Sequence, residues 1–231
     1  MERDLRLAPR NEETREISYT PVQQYEIEEI KGHFNETIAE IRKQFSLADQ
    51  LLCDKRDGEA EYIWRGQIVF LESAFDFFMH ELTKYGLCQI FDGHWKATQK
   101  YRNIQIDLKT VTDAFQNGKN SGWFLDYINS YYAKDTFVSF VSVKDQINLL
   151  GLDLNAIADR VYYDLELREK TRDKLKRRLN QLYTRRNLIA HQSDRRHEDA
   201  ERQSISKDTV QEFLEELTEI VNAICEEAAA L

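Results

Sequence analysis

The sequence predicts an all-α fold, a bundle of four to five long helices with a smaller helical insertion, and three observations carry that prediction. Only 8 Gly and 2 Pro occur in 231 residues, too few chain breakers for the many turns of an all-β protein. Charged residues make up 32% and apolar residues 42%, a balance suited to long amphipathic helices. Apolar residues also recur every three or four positions over four long stretches, which is the helical period. A chain of this length can bury a sizeable core, and residues 21–231 read as one domain.

The elements follow in order. Residues 1–20 are polar and aperiodic, as expected of a flexible arm, and Pro21 suits the first turn of a helix. Ile27, Ile30, Phe34, Ile38, Ile41, Phe45, Ala48 and Leu52 then mark a helix over about 22–52. CDKRDGEAE (53–61) breaks it. A second helix runs from about Glu59 to Tyr85 on the stripe Trp64, Ile68, Leu71, Phe75, Phe78 and Leu82, with Gly86 placed as its C-cap. Glu72 and Asp76 flank that stripe. Residues of about 90–150 form the insertion. It holds an alternating piece, Ile104–Ile106–Leu108, that fits a strand or an extended turn. A loop over 117–122 follows, then an aromatic-rich short helix (121–133) and a helix from Ser142 to Leu150 closed by Gly151. Residues 152–164 form a helix capped by Asp153 or Asn155. A basic helix spans about 169–190, and Ser206 caps a last one over 207–228.

Several classes of protein are excluded. No apolar run is long enough to span a membrane. The charged start MERDLRLAPRNEETRE has no apolar signal-peptide core, which points to the cytoplasm. Cys53, Cys88 and Cys225 are odd in number and lack CxxC spacing, and so read as three small core residues in a reducing compartment. His33, His80, His94 and His197 are scattered without metal-ligand spacing, and no Gly-rich phosphate loop or GxSxG occurs, so neither a metal nor a cofactor is expected. The net charge of −9 argues against general polyanion binding. Its distribution argues the other way: nine Lys or Arg lie between Arg168 and Arg186 against Glu169 and Asp173 alone. A charge run is also what a plain solvated helix face looks like.

The basic helix carries an anomaly. Its apolar stripe reads Leu175, Leu179, Leu182, Arg186, Ile189, so a guanidinium holds a slot meant for an aliphatic side chain. A buried cation costs several kcal/mol unless it is paired. A neighbouring carboxylate (Glu72 or Asp76), a second subunit or a ligand phosphate would each meet the need. Asn187 and His191 are four apart and share a side of the helix, whereas Arg186 and His191 are about 140° apart on an ideal helix. They converge if the helix ends at His191 and the ring turns inward, or if two copies of the helix pack about a twofold axis. An unperturbed imidazole, titrating near pH ~6.5, suits proton transfer at neutral pH.

Arg186-Asn187-Leu188-Ile189-Ala190-His191 resembles the R-N-x-x-x-H signature of HEPN domains (higher eukaryotes and prokaryotes nucleotide-binding). WRGQIVFLESAFDFFMHEL (64–82), VKDQINLLGLD (143–153) and RQSISKDTVQEFLEELTEIVNAI (202–224) are similar to elements of the RiboL-PSP branch. The resemblance implies a helical bundle that dimerises, with two R-x4-H motifs lining a composite cleft. It also implies a metal-independent endoribonuclease that cleaves RNA by 2′-OH attack. Such proteins serve as toxins or antiviral-defence effectors, under an antitoxin or another partner protein. Some relatives are catalytically silent nucleotide- or RNA-binding or adaptor modules. Carried over, Arg186, His191, Asn187 and Glu72 are the expected catalytic group. Arg65, Asp76, Arg178, Tyr183 and Arg185 are the expected substrate contacts, with Tyr183 placed to stack a base. Ser193 stands where one toxin group has a Tyr that is modified with nucleotides, so that form of control is not expected.

Overall fold

The structure, a computed structural model, describes residues 22–116, 122–164 and 169–231. Among them are four long helices, α1 (Ile27–Cys53), α2 (Asp57–Phe91), α8 (Thr171–Gln192) and α9 (Lys207–Ala229). Five shorter ones lie between α2 and α8: α3 (Gln99–Arg102), α4 (Leu108–Gln116), α5 (Trp123–Tyr132), α6 (Phe140–Leu150) and α7 (Leu154–Tyr162). The only β pairing among the described residues is an isolated bridge between Arg195 and Arg202. The expected arm (1–20), Pro21 and most of the 117–122 loop lie outside the described residues.

Helix α2 is the axis of the bundle. It packs against α1, α8, α9, α6 and α5, and is therefore buried round most of its circumference rather than along one stripe. Trp64, Ile68, Leu71, Phe75, Phe78 and Leu82 all lie in the core, as the periodicity required. The core continues into α8 through Leu175, Leu179 and Leu182 and into α9 through Val210, Leu214, Leu217, Val221 and Ile224. Helix α1 opens on a capping box between Glu26 and Glu29.

Helix α2 runs past its predicted end at Tyr85. Gly86 is not a cap but a packing position inside the helix. A Cβ there would stand 2.7 Å from both Leu150 Cδ2 and Trp95 Cζ3, so only glycine lets α6 and Trp95 close on α2. The helix instead ends at Phe91, with Gly93 in the left-handed region at φ +82°. Two smaller corrections have similar causes. Ser139, not Ser142, caps α6 by accepting the Ser142 N–H at 3.2 Å. Residues 104–107 are a connection into α4 rather than a strand. Asp153 caps α7, Gly151 closes α6 at φ +84°, and Ser206 caps α9.

Of the three cysteines, Cys88 and Cys225 are buried as expected, and burial raises their thiols to about 11 and about 12. Cys53 is exposed, because it falls at the last position of α1, past the buried stripe. Among the described residues no helix is long and apolar enough to cross a membrane.

Candidate functional site, a cleft between α2 and α8

Helices α2 and α8 share the core through their leucines and phenylalanines, and polar residues of both lie beside that seam. There they leave a cavity of about 600 Å³. Glu72, Ser73 and Asp76 of α2 form one wall. Tyr183, Arg186, Asn187 and His191 of α8 form the other, and Thr136 and Val138 close the edge. The cleft therefore gathers six of the nine candidate residues. The helix geometry that sets Arg186 and His191 apart is resolved within one chain: α8 ends at Gln192, His191 sits in its last turn, and both residues line the same concave surface.

Arg186 keeps its place in the leucine stripe by reaching across to α2. Its Nε lies 2.7 Å from Glu72 Oε2, and its Nη1 donates to Asn187 Oδ1 at 3.1 Å. The Nε–H is not aligned on the carboxylate, so the contact with Glu72 is an ion pair without a formed hydrogen bond. Glu72 is 2% exposed and its Oε1 has no partner, while the Arg186 side chain remains 31% exposed toward the cleft. Burial raises the Glu72 carboxyl to about 7. Arg186 opposes the rise without cancelling it, and the Asp76 charge reinforces it. The cleft thus pairs a permanent cation with a buried acid that titrates near neutrality.

Asp76 has another task. Its Oδ1 accepts the backbone N–H of Phe137 at 2.6 Å, which holds the segment carrying Thr136 and Val138 against α2. His80 sits nearby, with Nε2 3.8 Å from that oxygen and 3.1 Å from the Asp135 carbonyl.

Three expected substrate contacts point elsewhere. Arg65 is buried and donates from Nε to Asp194 Oδ2 at 2.7 Å, from Nη1 to Glu61 at 3.0 Å and from Nη2 to the Gln203 carbonyl at 2.8 Å. Arg185 meets the same Asp194 oxygen at 2.9 Å and also binds Gln203 Oε1 and the Ser204 carbonyl. Arg178 pairs with Glu216 and Glu212 and lies over the Phe213 ring. Each stands on a face of its helix turned away from the cleft, into packing that only tertiary structure reveals.

Asp194 is the residue the sequence reading overlooked. It falls in what looks like a polar loop, QSDRRHEDAERQS, yet it is fully buried. Ser193 and Asp194 both take left-handed conformations, φ 53° and 62°, and the Asp194 N–H returns to the Leu188 carbonyl at 2.9 Å. That turn ends α8 at Gln192, one residue past His191. The one available signal was the rarity of an Asp among several Arg just past a helix end.

The all-helical bundle is consistent with a HEPN-type domain. The chain belongs to the RiboL-PSP-HEPN family, whose model matches residues 32–230. No curated protein and no solved structure matches it. Among the described residues no three His, Cys, Asp or Glu side chains group in a way that could hold a metal ion.

Proposed function

We propose that the α2–α8 cleft is an endoribonuclease site that works without a metal ion. The observation that carries this reading is the convergence of Arg186, Asn187 and His191 with the buried Glu72 on one open cavity large enough for a nucleotide. The ribose 2′-oxygen attacks the adjacent phosphorus, and the bond from phosphorus to the 5′-oxygen breaks. The products are a 2′,3′-cyclic phosphate and a 5′-hydroxyl. The proton leaving the 2′-OH is taken up by His191 as general base, and one is returned from the imidazolium to the leaving 5′-oxygen, so the proton count closes. Arg186 has donors to spare on its cleft side and meets the charge that builds on the phosphoryl oxygens. Asn187 holds the guanidinium by its 3.1 Å contact. Glu72 sets the reach of Arg186, and Tyr183 offers a ring to a base. Two chains packed about a twofold axis would join two such clefts into one groove, and in the cell the activity would be that of a toxin or antiviral effector held in check by a partner protein.

The test is incubation of purified protein with total RNA in the presence of a chelator, followed by mapping of the fragment ends. Fragments ending in a 2′,3′-cyclic phosphate and starting with a 5′-hydroxyl are expected, with loss of at least about a hundredfold in His191→Ala, the usual scale of a general acid–base contribution. DNA, which has no 2′-OH, should survive; cutting of DNA at a comparable rate would rule the mechanism out. A second reading, in which the groove binds a nucleotide or RNA without turnover, draws on the engagement of Arg186 by both Glu72 and Asn187. Equal binding by parent and His191→Ala with no cleavage by either would establish it.

A further inference from the structure

The eight described cations from Lys170 to Arg186 are not equivalent once folded. Arg177 pairs with Glu169, Arg178 with Glu212 and Glu216, Arg185 with Asp194, and Arg186 with Glu72. Lys174 lies 4.9 Å from the centre of the Tyr162 ring. Among the described residues, that leaves Lys170, Arg172 and Lys176 without a carboxylate, and α6 adds Lys144 beside them. These four line a second concave surface of about 660 Å³, together with Asn155 and a single acid, Asp173.

This cavity is not isolated from the cleft. Arg172, Lys176, Tyr183, Asn187 and His191 are spaced by 4, 7, 4 and 4 residues along α8, which keeps them on one side of the helix. The same stretch of chain borders both surfaces: Thr136 and Val138 edge the cleft, and Phe140 and Lys144 edge the cationic cavity. Lys176 and Asn187 are eleven residues apart, about 16 Å at ~1.5 Å per residue. A stacked strand advances ~3.4 Å per phosphate, so about five nucleotides cover that distance.

We infer that Lys144, Lys170, Arg172 and Lys176 form a remote phosphodiester-binding surface that holds the backbone of a single-stranded polynucleotide whose reacting nucleotide lies in the α2–α8 cleft. The inference rests on the ribonuclease reading for the chemistry in the cleft, but the binding it describes is separate from that chemistry. It makes the substrate a strand rather than a mononucleotide or a dinucleotide. It also gives a use to a cluster of unpaired cations on a chain of net charge −9.

The test is fluorescence anisotropy with two 2′-O-methylated RNA probes, which cannot undergo 2′-OH attack: a 12-nucleotide strand and a dinucleotide. Each is titrated over a range of salt with the parent and with the doubly substituted Lys144→Glu, Lys176→Glu protein. A Lys144→Gln, Lys176→Gln protein guards against misfolding caused by charge reversal. For single strands the slope of log K against log salt changes by ~0.7 per phosphate contact. Both variants should therefore bind the 12-mer with a slope shallower by about 1.4 and an affinity at least about tenfold weaker, while dinucleotide binding stays unchanged. An unchanged slope and affinity for the 12-mer would overturn the proposal. So would equally tight binding of a 12-residue polyglutamate peptide, which would make the surface a dock for an acidic protein. Cleavage of unmodified 12-mer by the parent is measured in parallel. Cleavage by the parent with an unchanged slope in the variants removes the track and leaves the ribonuclease; a slope shallower by the expected amount in the variants, with no cleavage by the parent, leaves the track and removes the ribonuclease; neither binding nor cleavage by the parent removes both.

Discussion

Arg185 and Arg186 are neighbours in sequence, about 100° apart around α8, and they lead different lives. Arg185 enters a closed network. Its side chain is 13% exposed, and with Arg65 it brings two guanidinium groups to one buried carboxylate, Asp194. Gln203 and Ser204 take the remaining donors. Arg186 enters an open one. A single guanidinium faces two acids, Glu72 and Asp76, across a cavity, and its contact with Glu72 is close but not aligned. Cations outnumber the central acid in the first cluster, and acids outnumber the cation in the second. The first has its donors matched and joins α2, the end of α8 and the 203–204 strand of chain. The second keeps guanidinium donors of the part-exposed Arg186 free on the cleft side, while each cluster leaves one buried carboxylate oxygen, Glu72 Oε1 or Asp194 Oδ1, without a hydrogen bond. Identical side chains one residue apart thus meet different surroundings, one enclosed by side-chain and backbone acceptors and one open to a cavity.

The largest effect expected from breaking this contrast lies in the closed network. Asp194→Asn keeps the size of the side chain and its tolerance of the left-handed backbone, but leaves the part-buried Arg185 without a carboxylate and the buried Arg65 with Glu61 alone. Removing one partner of a buried ion pair costs about 3–5 kcal/mol. The midpoint of urea unfolding should fall accordingly, with an unchanged slope. A loss under about 1 kcal/mol would mean that Arg65 and Arg185 find water instead, and that the end of α8 is not held by Asp194.

The open network should respond in the opposite direction. The Glu72 carboxyl stands at about 7 in the folded protein, against 4.5 for an ordinary Glu. The folded state therefore binds the proton more tightly than the unfolded one. Between those two values the native chain holds a proton that the unfolded chain has released, so stability falls as pH rises through this window and levels off above it. At ~1.4 kcal/mol per pKa unit the loss amounts to about 3 kcal/mol. Glu72→Gln removes it: the variant should be more stable than the parent at pH 8 by about 2–3 kcal/mol, and nearly equal to it at pH 4.5. Thermal or urea unfolding at the two pH values measures the difference. A variant less stable than the parent at pH 8 would show that the Arg186 contact outweighs the cost of burying the acid.

Much of this was legible before folding. The four long helices follow from apolar spacing, and so does the anomaly at Arg186, because a cation in a leucine stripe must be met by something. Glu72 was legible as a candidate since it flanks the stripe of α2. The Arg65–Asp194–Arg185 network was not, because it joins residues 129 and 9 positions apart and its acid lies in a segment with no period to read. The end of α2 was misread for a related reason. Glycine beyond a stripe signals a cap, and only the approach of Leu150 and Trp95 reveals that Gly86 is there to make room. Local pattern shows which residues should be buried; it does not show which polar residues are buried with them.

The smallest expected effect, and the one that most sharpens the comparison, concerns Asp76. Its charge is one of the causes that raise the Glu72 carboxyl, ranking behind burial and the opposing pull of Arg186. Its Oδ1 also holds the Phe137 N–H. Asp76→Asn keeps an acceptor oxygen for that bond but deletes the charge, so the two roles separate. The Glu72 carboxyl should titrate below its parent value in this variant, still above an ordinary Glu because burial remains. The pH window over which stability falls should narrow from its upper end, by well under the change seen in Glu72→Gln. Carboxyl carbon-13 shifts of Glu72 followed through a pH titration read the first effect directly. An unmoved or higher value would mean that Arg186 swings away from Glu72 when Asp76 loses its charge. The open cluster would then be a coupled triad rather than an ion pair with an acidic neighbour.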